Sequence, residues 1–219
     1  MLPAFTHVFV LAAATLGGGV ACAGGRVDPA THKPQTLEAA PPLADQAVAV
    51  FAGGCFWCME KPFDKLPGVV STTSGYTGGE IAGPSYRQVS MHQTRHYEAL
   101  RVVYNPGLVS YERLLEVFWH NVDPTQSNGQ FCDKGDQYRT GVFTSDPAEV
   151  KLAEATRAAA QETLGETIVT QILPAAPFWV AEEYHQDFYV KSPDHYQRYR
   201  TGCGRDRRLQ ELWGDKAGH

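Results

Sequence analysis

The stretch FAGGCFWCME, residues 51–60, sets two of the five cysteines three positions apart around a Phe-Trp pair, directly after two glycines. A short apolar run precedes it and a helical segment follows. Cys55 therefore falls at a strand-to-helix junction, where unpaired N–H groups and the helix dipole favour an anion. That predicts a stabilised thiolate and a nucleophile, and Gly53 and Gly54 let the backbone turn tightly and leave the sulfur approachable. Three other readings stay open on spacing alone. Cys55-x-x-Cys58 can be half of a zinc site with Cys132 and Cys203, although a second close pair is missing. It can be a thioredoxin-like dithiol at a helix start. It can also be a structural disulfide of an exported protein, with Cys132 and Cys203 pairing elsewhere.

The elements that must position these sulfurs follow from periodicity. QAVAVFAGG, from residue 46, is a buried strand, and Phe56 to Leu66 fits a helix stopped by Pro67-Gly68, with Pro62 disturbing its interior. GVVSTTSGY and HYEALRVVY read as strands two and three. In the latter, Glu98 shares a face with Leu100 and Val102 while Arg101 points the other way. A carboxyl group on an apolar face is desolvated and keeps its proton towards neutral pH. SYERLLEVFWHNV is a helix capped by Ser110. RTGVF is a fourth strand, and TIVTQIL a fifth. Between them lies a helix capped by Asp146, with Pro147 first, Glu149 completing a capping box and Gly165 at its end. The remainder is Tyr-rich and partly helical. The order strand, helix, strand, strand, helix, strand predicts an α+β two-layer sandwich with a ferredoxin-like split βαβ core and additional C-terminal elements.

The chain has 219 residues, 43% hydrophobic and 20% charged, with net charge −5 and no block of like charges. That suits one full-sized domain and excludes a nucleic-acid partner. Residues 1–23 read as an export signal. Their apolar run, Val8 to Leu16, is too short to span a bilayer. Processing after Ala23 and lipidation at Cys22 are both open; Gly19 fits the lipoprotein pattern poorly, and the segment before the apolar run lacks Lys and Arg. The expectation is an exported, periplasmic protein, free or anchored through Cys22. Residues 24–45 read as a flexible linker, 46–214 as the domain and 215–219 as a tail.

GGCFWCMEKPFDKLPGVVSTTSGYTGG resembles the A-type peptide methionine sulfoxide reductases, whose signature is G-C-F-W followed by a G-Y-x-G-G segment. The resemblance continues through HYEALRVVYNP, LLEVFWHNVDPTQ, CDKGDQYRTGVF and AEEYHQDF, from about residue 47 to 214. It implies that Cys55 attacks the sulfur of methionine S-sulfoxide, free or in oxidised proteins and peptides, releasing methionine and leaving a sulfenic acid. It further implies that Phe56 and Trp57 receive the substrate methyl and that Glu98 supplies the proton. Tyr76 and Tyr138 would donate to the sulfoxide oxygen, and Asp133 would help orient the site. No metal or bound cofactor is implied. Electrons would come from thioredoxin or a thioredoxin-like dithiol after an intramolecular disulfide forms. Cys203, between two glycines on a flexible tail, is the expected resolving thiol. The commonest family pattern has Gly at the place of Cys58, and here Cys132 precedes Asp133. Cys58 and Cys132 therefore stay open as alternatives to Cys203.

Overall fold

The computed structural model describes residues 26–29 and 31–218; the expected export signal, with Cys22, lies outside them. The apolar run forms β1 (Ala47–Gly53), and α1 (Phe56–Asp64) follows after a two-residue turn. Pro62 sits inside α1, so the Cys58 carbonyl loses its helix donor, and the helix ends two residues before the predicted Leu66. Then come β2 (Val69–Thr77), the short α2 (Tyr86–Ser90), β3 (Tyr97–Tyr104) and α3 (Tyr111–Trp119). A small hairpin of β4 (Gly129–Gln130) and β5 (Asp133–Lys134) precedes β6 (Thr140–Phe143) and α4 (Pro147–Leu164). The chain closes with β7 (Gln171–Leu173), β8 (Trp179–Val180), α5 (Phe188–Lys191), α6 (Pro193–Gly202) and α7 (Arg205–Trp213).

Six strands make one mixed sheet in the order β7-β6-β1-β3-β2-β8, antiparallel except for β6 and β7. β1 and β2 flank β3, and α1 crosses between them. The main core lies on one face, where Ala49, Phe51, Leu100 and Val102 meet Phe63, Leu114, Phe118 and Leu209 of the helices. Phe51 is at its centre, with the rings of Phe63 and Phe118 at 5.4 and 5.2 Å. Arg101 points the opposite way, as its alternation predicts, and donates to the Ala40 carbonyl.

Capping chemistry holds where it was expected, with one difference. Ser110 accepts from the Arg113 amide, and Asp146 accepts from the Ala148 and Glu149 amides. Glu149 does not reach back to close a box; its carboxylate accepts the Thr144 hydroxyl at 2.6 Å. The segment read as a flexible linker is irregular but pinned. Gln35 donates to the Gly83 carbonyl, Ala39 to that of Phe178, Val180 donates back to Leu37, and Thr36 is buried. Polar, turn-rich composition gives no sign of such backbone pairing, because any residue type can supply it.

Candidate active site

β1 delivers the chain to Gly54, whose φ of +81° puts it in the left-handed region, with Gln130 Cβ only 2.5 Å from where a side chain would start. Cys55 then opens α1 as its N-cap residue. Both it and Cys58 are buried free thiols. The two are hydrogen-bonded to each other, as a C-x-x-C pair at a helix start can be. The charge within the pair falls on the less expected sulfur. Burial, the Cys58 sulfur and the Glu98 carboxyl push the Cys55 thiol well up. The hydrogen bond from Cys55, with Arg205 and Arg200 nearby, brings Cys58 down to about 7. The helix start alone does not make Cys55 the anion, because complete burial outweighs the dipole.

Glu98 on β3 stands where the strand pattern put it, buried on the core face and paired across the sheet with Tyr76. Its carboxylate accepts the Phe56 amide at 3.2 Å, one residue from Cys55. Burial, aided by the charges at Asp133 and Cys58, pushes its pKa up to about 8, so it carries a proton at neutral pH.

Phe56 and Trp57 form an aromatic wall. Phe56 is fully buried against Tyr76 and His185. Half-buried Trp57 stacks on Phe188 at 3.8 Å, meets Tyr199 edge-on at 5.8 Å and donates its indole N–H to His185 Nδ1 at 3.1 Å. Burial holds His185 at about 4, hence neutral and able to accept that bond.

The tyrosines divide differently from expectation. Tyr76 is fully buried and gives its one proton to Glu182 Oε2 at 2.8 Å, so it is not available to a substrate oxygen. Tyr86, at the first position of α2, hydrogen-bonds Tyr138 instead, and both half-buried rings sense Glu98 and Cys55. Glu182 ties the two regions together by also accepting the Tyr86 amide at 2.8 Å. Asp133 is half-buried on β5 and accepts the Tyr199 hydroxyl, which also contacts the Cys55 sulfur.

Cys203 is not a swinging thiol on a loose tail. It caps α6 and is bonded to Cys132, 71 residues away, with an S–S distance of 2.00 Å. Among the described residues, Cys132, Asp133 and Cys203 are the group whose atoms lie close enough for a metal, but both sulfurs are spent on each other. A surface groove between α3, α4 and the C-terminal turn touches no cysteine.

A buried thiol pair beside a protonated carboxyl, tyrosines and an aromatic wall is the layout of a thiol-dependent oxidoreductase. Residues 47–217 match the family model described as peptide methionine sulfoxide reductase. The chain is 50% identical over 178 residues to peptide methionine sulfoxide reductase MsrA 2 of Caulobacter vibrioides, covering 80% of this chain and 90% of that protein. It is 49% identical over 171 residues to the MsrA of Bacillus subtilis, covering 77% and 97%. Among solved structures it resembles reduced Mxr1 from Saccharomyces cerevisiae, with TM-score 0.66, 34% identity and 70% and 90% coverage. It also resembles methionine sulfoxide reductase A of Corynebacterium diphtheriae, with TM-score 0.62, 30% identity and 78% and 87% coverage. The chain belongs to the peptide methionine sulfoxide reductases, and it is an oxidoreductase that returns methionine sulfoxide to methionine.

Proposed function

We propose that the enzyme reduces the S epimer of methionine sulfoxide, in proteins or free, through a sulfenic acid on Cys55, with thioredoxin or a thioredoxin-like dithiol as donor. The observation that carries this is the protonated Glu98 carboxyl resting on the Phe56 amide beside the nucleophile. Phe56 and Trp57 take the methyl group, to which a ring face is a good neighbour. Tyr86 and Tyr138 hold the sulfoxide oxygen. Cys55 attacks sulfur as Glu98 gives that oxygen a proton; the oxygen then passes from the substrate sulfur to Cys55 as the bond between the two sulfurs breaks, so methionine leaves and Cys55 is left as S–OH. Glu98 is suited to this because burial keeps it an acid.

Cys58 then attacks the sulfenic sulfur, forming the Cys55–Cys58 disulfide and releasing water; its hydrogen bond to Cys55 supports this order. That disulfide is buried, whereas Cys132 is exposed. We therefore assign Cys132 and Cys203 as the entry for electrons: the donor dithiol reduces their disulfide, and their thiols reduce Cys55–Cys58 by exchange. Tyr199 and Asp133 lie between the two pairs, in contact with Cys55 on one side and Cys203 on the other. A Saccharomyces Mxr1 has been solved in complex with Trx2, which supports a thioredoxin-type donor. The central strand order β6-β1-β3-β2 supports the ferredoxin-like description of the core. The apolar run before Ala21-Cys22-Ala23 supports export, with or without a lipid at Cys22, and an exported enzyme needs a donor supplied outside the cytosol.

The test is a single turnover on the two epimers of a methionine sulfoxide peptide. One equivalent of methionine is expected from the S epimer, none from the R epimer and none from Cys55→Ser, because serine has no thiolate to attack sulfur. Equal release from both epimers, or release by Cys55→Ser, would refute the reading.

A further inference from the structure

Two arginines are buried behind the C-x-x-C turn, at 2% and 1% exposure, and they are held differently. Arg200 has a carboxylate, Asp206, at 2.6 Å. Arg205 has no ion pair among the described residues. Its Nη2 donates to the Gly53 carbonyl at 3.1 Å, to Asn121 O at 2.7 Å and to Met59 Sδ at 3.2 Å, and its Nε has no partner. Gly53 and Met59 bracket the motif, two residues before Cys55 and one after Cys58. A guanidinium cannot shed its charge in a protein, and a buried charge without a counter-charge costs several kcal/mol. The carbonyls solvate it partly. The rest of the compensation must come from a neighbour able to become an anion.

We propose that Arg205 is the buried counter-charge that keeps the Cys58 sulfur anionic, so that Cys58 accepts the Cys55 proton when Cys55 attacks. This rests on Cys55 being the nucleophile of the proposed reaction. In that step Cys55 S–H passes its proton to Cys58 S⁻ while Glu98 gives its proton to the sulfoxide oxygen. The products are methionine, Cys55 S–OH, Cys58 S–H and the Glu98 carboxylate, with one negative charge before and after. Ionised Glu98 then relays the Cys58 proton: it takes it as Cys58 attacks the sulfenic sulfur and passes it to the departing oxygen, which leaves as water while Glu98 ends as the carboxylate.

The groups facing Cys58 come from every element around it. Cys55 and Lys61 lie on its own helix and Glu98 on β3; Asp133 is on β5, Tyr196 and Arg200 on α6, and Arg205 on α7. Asp133 and Glu98 oppose a Cys58 anion. Arg200 favours it with a charge already shared with Asp206, whereas Arg205 acts on Asp133 as well but forms no ion pair with it among the described residues, so its charge is still available to Cys58. Its seat is also built by the surface disulfide. The Phe131 ring lies 4.4 Å under the guanidinium, Phe131 precedes Cys132, and Arg205 follows Cys203 by two residues. The bond between Cys132 and Cys203 clamps both sides of this cation.

The test is a residue-specific titration of the cysteine β-carbons by NMR in the full chain, with the Cys132–Cys203 disulfide recognised by its own shift. Cys58 is expected to titrate below Cys55, near 7. In Arg205→Met its midpoint should rise by about one unit or more, a tenfold loss of acidity, and Arg205→Lys should restore most of it. A Cys58 midpoint unmoved in folded Arg205→Met would overturn the proposal, since Arg205 would then serve Asp133 or mere packing. Should Arg205→Met fail to fold, wild type and Arg205→Lys still decide, because a Cys58 titrating above Cys55 in both is incompatible with a stabilised anion there. No substrate is present, so failure of the sulfoxide reading would show in the epimer assay and leave this titration unchanged.

Discussion

The two cysteine pairs of this molecule are made from the same residue and lie on either side of one tyrosine, yet they are prepared for different work. Cys55 and Cys58 are close in sequence, buried and reduced, with a protonated carboxyl and a buried cation beside them. Cys132 and Cys203 come from a hairpin and a helix end 71 residues apart, are joined, and reach the surface. Closing a loop of that length contributes about 4 kcal/mol in a chain-entropy account. The difference teaches that C-x-x-C spacing does not by itself decide a role. What decides is whether the surroundings can move a proton at the sulfur or only let a partner reach it.

The largest effect is expected on the buried side. Glu98→Gln keeps the shape and the bond from Phe56 but has no proton to give. It should slow the reductive step by about 10²- to 10⁴-fold, the range for a positioned general acid. Stopped-flow Trp fluorescence in single turnover would report it through Trp57, and a change under about threefold would deny Glu98 the acid role.

A smaller effect separates the pairs. Cys203→Ser should still release its first equivalent of methionine, since Cys55, Cys58 and Glu98 are untouched, and then lose most, about tenfold, of its steady-state rate with a thioredoxin donor. Cys58→Ser, which also lacks the proton acceptor, should form the sulfenic acid more slowly and stop there, one step earlier. Disulfide mapping by mass spectrometry after one turnover distinguishes them. A Cys55–Cys58 bridge is expected in Cys203→Ser. Full cycling in Cys203→Ser would make the surface disulfide structural only, and a Cys55–Cys203 bridge in wild type would make Cys203 the resolving thiol.

What could be read in advance follows the same division. The placement of Cys55 at a helix start and of Glu98 on the core face was legible, because a strand-to-helix junction and a period of two are local patterns, and the capping of α3 and α4 is local too; the burial that raises the Cys55 thiol was not. Tyr86 was not, since it begins a five-residue helix inside a stretch, 78–96, with no period to find. Arg205 belongs to RDRRLQELW, whose polarity reads as a solvated face; only the packing of α7 against β1 and Phe131 buries it. The Cys132–Cys203 bond was one of several open readings, and choosing it depends on two segments meeting in space, which spacing cannot supply. Tyr76 was misread because a motif names a tyrosine without saying which neighbour takes its proton, and Glu182, 106 residues on, takes it.

The smallest effect is thermodynamic, and it asks whether the buried side is as dry as its chemistry needs. Glu98 is pushed up to about 8, above its ordinary value of 4.5. Between those values the folded protein keeps a proton that the unfolded chain releases. Stability therefore falls as pH rises from 4.5 towards 8, by at most about 1.4 kcal/mol per unit, and is flat in this respect above 8 because both states are ionised. A glutamine side chain at this position resembles the protonated acid and releases nothing. Glu98→Gln should thus match wild type near pH 5 and exceed it increasingly towards pH 8, by a few kcal/mol or several degrees in Tm. Glu60, raised to about 7 by its own burial, bends both curves alike and cancels in the difference. Calorimetric or denaturant melts of the two proteins across this range check it. Parallel curves would mean that Glu98 ionises at its ordinary pH inside the fold, and a carboxylate already ionised at neutral pH could not be the acid that separates this buried thiol pair from the exposed one.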